Sequence, residues 1–331
     1  MHLVTALVCS ALMSVAVAGC GAPDTSGVVV YAARDVDSMR AALDAYSHET
    51  GVTVLLTSGD SRDLINRLRV EKHEARADLV ITDSIGHFWT AIENDSLRPS
   101  RSKVLEANVP ENLRDPDKLW FALLVVGRTI AYDRRQLGPD ELRSYSALGD
   151  DRWRGKLCLS SATNADSQSQ IAMMILDYGD SAAEIIVRSW IANLAIPVVT
   201  NDTILLNAIE DGQCSLGIVN SDDLARFTRD KPNTSVAGYW PSASSGGAYI
   251  SIVGAAVSRH AVNPAGALQL LEWLSSKKGQ KEFAGLDLTV PVSRWDERGA
   301  LPISPISLAE AGYYHEDAAR LMQRAHYNRS Q

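Results

Sequence analysis

"VVVYAARDVDSMRAALDAYSHETGVTVLLTSG" occupies residues 28–59. Its first piece, "VVVYAA" (28–33), is an apolar run of strand length bounded by charge. Residues 36–51 carry a helical pattern that closes at Gly51, a residue that tolerates the left-handed turn after a helix. "VTVLLTSG" (52–59) then returns to strand. The alternation continues with a helix over 61–75 and a strand, "ADLVITDS", over 77–84. Strands alternating with helices predict an α/β fold whose parallel sheet is covered on both faces.

A second set of the same kind follows. "KLWFALLVVGRTIAYDRRQL" (118–137) is long and apolar without a helical stripe, and reads as two strands passing between domains. "GKLCLSS" (155–161), "PVVTN" (197–201) and the run at 215–219 read as strands, separated by helical stretches. "GGAYISIVGAAVS" (246–258) reads as a strand pair that returns to the first set. Residues 263–285 read as two helices, with Asn263 as cap and Pro264 in the first turn. Two facing α/β sets place the natural ligand site in the cleft between them, beyond the carboxyl ends of the strands.

The chain has 331 residues, 46% hydrophobic and 22% charged, with a net charge of −8. That length allows two cores, and the acidic balance gives a nucleic-acid partner no support. Residues 4–19 form an apolar run, short for a membrane span and suited to a signal-peptide core. It runs into Val17-Ala18-Gly19-Cys20, which resembles the lipobox of bacterial lipoproteins and implies cleavage before Cys20 and lipidation of its thiol. Residues 1–20 are therefore expected to be a signal segment, with "GAPDTSG" as a tether. The expected place is the cell envelope, in the periplasm or on the outer surface, held through Cys20. Cys158 and Cys214 remain, an even pair in an oxidising compartment, readable as a disulfide or as two buried thiols.

The strand ends carry the polar chemistry. Arg34 and Asp35 follow the first strand, Ser58, Gly59, Asp60 and Ser61 the second, and Asp83 and Ser84 the third. Thr163, Asn164 and Asp166, then Asn201, then Asn220, Ser221, Asp222 and Asp223 follow those of the second set. Asp, Ser and Asn at such junctions are ordinary helix caps. The adjacent pair Asp222-Asp223 exceeds what one cap needs, and two carboxylates in a cleft call for a cation.

In this order the pieces resemble the ferric-ion-binding branch of the solute-binding proteins of ABC importers. The resemblance rests on "VVVYAARDVDSMRAALDAYSHETGVTV", "SGDSRDLINRL", "ADLVITDS", "GRTIAYDRRQL", "NDTILLNAIEDGQCSLGIVN" and "GAYISIVGAAVSRHAVNPAGALQLLEWLSSKKGQ", ending in "LTVPVSR". It implies a type II periplasmic-binding-protein fold with a hinge and an interlobe cleft. Lobe one is expected over 26–127 plus 247–299, and lobe two over 128–246 plus 300–331. It implies a receptor serving a permease and ATPase subunits, with no cofactor beyond the transported ligand. At the family's metal ligands this chain offers Asp35, Asp83 and, where two adjacent Tyr stand, Asp222 and Asp223. The family's synergistic anion lies at a second-lobe helix start, matched by Thr163, Asn164 and Ala165 with Asn201 and Asn220 nearby. Asp166 would repel such an anion. Carboxylates in place of phenolates are still hard donors, and suit Ca²⁺, Mg²⁺ or Mn²⁺ as well as iron.

Three functions are weighed. The first is capture of a metal cation by Asp35, Asp83, Asp222 and Asp223, with His87 a further candidate. The second keeps the receptor and makes the ligand an organic cation such as a polyamine or thiamine-like molecule, stacked on Tyr31, Trp89, Tyr239 or Trp240. The third is a serine esterase built on Gly59-Asp60-Ser61, which lacks the Asp three residues before a late His that this chemistry uses. The first is the expectation, and the chain is expected not to be an enzyme.

Overall fold

The computed structural model describes residues 27–33, 36–71, 77–283, 289–291 and 302–328. Cys20 with the signal segment, and Arg34 and Asp35, lie outside these residues. The first run is β1 (Val28–Ala32), α1 (Val36–Thr50), β2 (Val54–Ser58), α2 (Ser61–Glu71), β3 (Leu79–Thr82) and α3 (Ile85–Glu93). It matches the alternation read from residues 28–84. Then come α4 (Lys103–Asn108), β4 (Phe121–Asp133), β5 (Leu157–Cys158), α5 (Ala165–Tyr178), α6 (Asp180–Ala192) and α7 (Asp202–Glu210). The remainder is β6 (Leu216–Asn220), α8 (Ser221–Asp230), β7 (Val236–Tyr239), β8 (Ile250–Val257), α9 (Pro264–Ser275), α10 (Lys277–Phe283), β9 (Thr289–Pro291), α11 (Leu308–Gly312) and α12 (His315–Arg324). Among the described residues no helix is long and apolar enough to cross a membrane.

The strands run in the order β2-β1-β3-β8-β4-β6-β5, with β7 and β9 also on β4. Parallel pairing holds within β2-β1-β3 and between β5 and β6, as expected, but every contact of β4 is antiparallel. The sheet is therefore mixed. β4 is one strand, buried along its whole length, where two were expected. Its first part pairs with β8 through Gly127↔Ile250, and its second part pairs with β6 from Arg128↔Asn220. A run buried on both faces has no polar interruption to mark this change of partner. The stretch at 246–258 is likewise one strand, β8, and "PVVTN" makes only the bridge Ser160↔Val199. The region after 300, expected as a tail of lobe two, contains α11 and α12, which pack on α5.

Local causes are readable. Gly51 takes φ 74° just after α1, and Asn263 accepts from the Gly266 amide at 2.9 Å to cap α9. The core holds Trp120, Trp153 and Trp190 essentially without exposure. Cys158 and Cys214 are joined in a disulfide, which settles the alternative left open above. It ties the end of β5 to the chain entering β6. At Gly217, on β6 opposite Cys158, an added Cβ would stand 2.6 Å from the Cys158 carbonyl oxygen and 2.6 Å from Leu205 Cδ2. Gly217→Ala is expected to cost about 1–3 kcal/mol of stability by overpacking against backbone, read as a lower urea midpoint.

Candidate functional site

The carboxyl ends of β2, β3 and β6 and the segment after β5 open on one cleft of about 1130 Å³. Of the expected residues, Gly59, Asp60, Asp83 and Ser84 line its first side. Thr163, Asn164, Asp166, Asn201, Asn220 and Asp223 line its second. Ser58, Ser221, Asp222 and Trp240 do not line it.

Each exception has a local reason. Ser58 ends β2 with its side exposed, one residue short of the turn. The Ser221 hydroxyl accepts from the Gly127 amide at 3.1 Å, behind the cleft. Asp222 is 1% exposed and faces Arg226, Nη2 to Oδ2 3.7 Å. Trp240 lies over Gly127, where an added Cβ would come within 2.1 Å of its ring. These four, expected at the ligand, stand off the lining of the cleft, while Arg34 and Asp35 lie outside the described residues.

The opening of α8 explains the double Asp. Arg226, one turn on, pairs with Asp223 at 2.8 Å and with Asp222 at 3.7 Å. Residues three and four apart share a helix face, and carboxylates suit the positive start of a helix. The chain thus supplies its own cation to the pair. The neighbouring junctions are caps as well. Asp60 accepts from the Arg62 amide at 2.9 Å, Asn164 from the Asp166 and Ser167 amides, and Asn201 from the Ile204 amide. Ser84 caps α3, while Asp83 accepts from the Ser61 hydroxyl at 2.6 Å. Ser61 is thereby committed as a donor to a carboxylate rather than held against an imidazole base.

Behind the second side runs a buried polar network. Arg128, 1% exposed, donates from Nη1 to Asp202 at 3.3 Å and to the Asn220 side-chain oxygen at 2.7 Å, and from Nε to Gln170 at 3.3 Å. Asp202 also accepts from the Ser160 hydroxyl at 2.6 Å and the Asn220 amide at 2.7 Å. The Asn220 side-chain amide donates to Asp166 at 2.6 Å, whose other oxygen accepts from Ser251 at 3.0 Å. Ser251 sits on β8 and accepts from the Ile85 amide at the start of α3. This chain of bonds links the helix starts on both sides of the cleft, so Asn220 is held as a strut and caps nothing with its side chain.

Sequence reasoning passed over Arg62, Arg226 and Arg229, which line the cleft beside Asp60, Asp83 and Asp223. Arg62 reaches from α2 across to the Thr163 carbonyl, joining the two sides directly. His87, weighed as a ligand, also lines the cleft; burial pushes its imidazole down, against the pull of Asp83 and Asp166. Among the described residues, no three His, Cys, Asp or Glu side chains come together as a metal-holding group. The aromatic candidates Tyr31, Trp89, Tyr239 and Trp240 are all absent from its lining.

The mixed sheet thus presents a polar cleft at the carboxyl ends of its strands. The profile of the bacterial extracellular solute-binding proteins matches residues 28–285, and the chain belongs to that family. This is a binding class, not an enzyme class. A Trichodesmium protein solved with iron and citrate ligands is 32% identical, covers 90% of this chain and 99% of its own, and superposes with a TM-score of 0.82. The apo ferric ion-binding protein A of Pasteurella haemolytica is 27% identical over 92% and 98% of the two chains, with a TM-score of 0.82. Among curated proteins, iron uptake protein A1 of Synechocystis is 28% identical over 308 residues, 90% of this chain and 84% of that one. The fold is that of a type II periplasmic binding protein.

Proposed function

We propose that the protein captures ferric iron in this cleft as a complex with a small polycarboxylate anion, and delivers it to the permease and ATPase subunits of an ABC importer. The observation that carries this reading is the mixed charge of the cleft: Arg62, Arg226 and Arg229 stand among Asp60, Asp83 and Asp223. A bare hard cation needs several oxygen donors at once, and the described residues do not cluster them. Iron that arrives chelated brings its own oxygens. Guanidinium groups then grip the chelate's outer carboxylates in paired hydrogen bonds, while Asp83 and Asp223 are left to approach the metal. The relatives' names, iron uptake protein and ferric ion-binding protein, support iron as the metal, and the iron and citrate of the Trichodesmium structure support a chelate.

The lobes of this reading are residues 26–127 with 247–299, and 128–246 with 300–331. β4 passes from one to the other, and in this reading its change of partner at Gly127 and Arg128 is the hinge. Closure brings Asp83 towards Asp223, a repulsive approach that a bound cation relieves, so the ligand selects the closed state. Lipidation of Cys20 would hold the receptor at the cell envelope, and a relative named as an Fe(3+)-binding periplasmic protein supports the compartment.

Arg226→Ala tests the reading through the sign of its effect. If the cargo is an anionic chelate, the loss of a charged donor worth about 1.5–3 kcal/mol weakens ferric citrate roughly tenfold or more in a calorimetric titration. If the cargo is the bare ion, Arg226 is its competitor, and the variant binds metal more tightly. Tightening overturns the chelate.

A further inference from the structure

At Gly127 and Arg128, where β4 exchanges its partners, side-chain hydroxyls take up peptide groups that a continuous ladder would pair. The Gly127 amide donates to the Ser221 hydroxyl at 3.1 Å. The Arg128 carbonyl accepts from the Tyr145 hydroxyl at 2.5 Å, and the same hydroxyl accepts from the Tyr249 amide at 3.2 Å. One backbone bond, from the Arg128 amide to the Tyr249 carbonyl at 2.8 Å, joins the two chain segments directly. Ser221 and Tyr145 are 0% and 2% exposed, so both hydroxyls hold their partners away from water. Neither lines the cleft.

Both side chains belong to the second lobe as divided above, and each is tied to its framework. The Tyr145 carbonyl accepts from the Trp190 indole on α6 at 2.8 Å, and its ring stacks on that of Tyr249 with centroids 5.0 Å apart. Ser221 is the first residue of α8, the helix whose Asp223 and Arg226 line the cleft. The bond from Gly127 to Ser221 thus joins the partner-exchange point of β4 to the cargo-facing helix with no intervening side chain. Ladder bonds resist bending as a row. A hydroxyl turns about its C–O bond and keeps its partner over a range of angles, which suits a junction that must move without leaving peptide groups bare.

We propose that Ser221 and Tyr145 are positioning residues for cargo capture: their hydroxyls hold the junction of β4 to a narrow range of interlobe angles, and Ser221 passes the seating of α8 on the cargo to Gly127. The proposal rests on the hinge read at Gly127 and Arg128, and not on which cargo fills the cleft. Without either hydroxyl a buried peptide group loses its partner, and the junction spreads over more angles. The share of molecules at the binding-competent angle falls, and the apparent affinity falls by the same factor.

The test is an interlobe distance. Val70 on α2 and Ile204 on α7 are exposed, one in each lobe, and their cysteine variants accept spin labels in protein beginning at Gly21, whose own two cysteines are bonded to each other. Pulsed double-resonance spectroscopy then gives the spread of distances without cargo. Ser221→Ala and Tyr145→Phe should each raise the share of molecules outside the main wild-type distance about threefold or more, the loss of one buried hydrogen bond. Ferric citrate should draw both variants to the bound wild-type distance, at an affinity lowered by about the same factor. Ser275→Ala removes a buried hydroxyl that accepts from the Asn108 side-chain amide at 3.0 Å in the first lobe. It should lower the urea midpoint and leave the distances unchanged, whereas a merely structural role for Ser221 and Tyr145 would make all three variants alike. Tyr145→Phe keeps the test readable if Ser221→Ala folds poorly. Ligand-free distances as narrow as the wild type's in the folded variants overturn the proposal, and so does equal broadening in Ser275→Ala. A wild-type distance that ferric citrate leaves unchanged counts against the cargo reading alone, because the ligand-free comparison needs no cargo.

Discussion

Asp202→Ala is expected to lose about 3–5 kcal/mol of stability, because it strips the carboxylate from a guanidinium that has no path to water. Arg128 is 1% exposed, and Asp202 is its charged partner at 3.3 Å. Without that carboxylate, the amide oxygens of Asn220 and Gln170 are left to face a full buried charge. The Ser160 hydroxyl and the Asn220 amide lose their acceptor in the same stroke. Asp202→Asn keeps the shape and one acceptor oxygen but not the charge, and should fall between the two. The measurement is a urea titration followed by circular dichroism. A loss below about 1 kcal/mol, the size of an exposed pair, would show that Arg128 finds solvent or another partner. Because Asn220 is strutted by Arg128, Asp202 and Asp166 together, the alanine variant should also bind cargo more weakly at concentrations of urea where it is still folded.

Removing the disulfide is the second large effect. Cys158 and Cys214 are 56 residues apart in sequence. On the chain-entropy account, a loop of that length is worth about 4 kcal/mol through the unfolded state. Both cysteines are buried, at 0% and 3% exposure, so reductant should act slowly on the native protein and readily once urea opens it. The double variant Cys158→Ala/Cys214→Ala should therefore unfold at a clearly lower urea midpoint, by a difference matched by wild type unfolded with reductant present. Equal midpoints would mean that the bridge adds nothing.

Much of this was legible from residue order. The first βαβ run, from Val28 to Thr82, shows itself because each strand ends in polar residues and each helix closes with recognisable signals. The cap residues Asp60, Ser84, Asn164 and Asn201 stand where strand gives way to helix, and local rules find them. Arg226 is equally legible, three and four residues after the acidic pair, but two adjacent carboxylates suggest an outside cation before they suggest a partner on their own helix. The continuity of β4 was not legible, since full burial erases the alternation that marks a strand's faces. Nor was the Arg128 network, whose partners lie 42, 74 and 92 residues away. α11 has five residues, too few for a periodic signal, so the region after 300 read as a tail.

The central claim is that the protein holds iron between Asp83 of one side and Asp223 of the other. The most direct measurement is a calorimetric titration of soluble protein beginning at Gly21 with ferric citrate, alongside the double variant Asp83→Asn/Asp223→Asn. The account predicts one-to-one binding by the wild type, and an affinity lowered at least about a hundredfold in the variant, the loss of two charged contacts. Unchanged affinity in the folded variant would contradict it, and would move the metal away from the cleft that these carboxylates line.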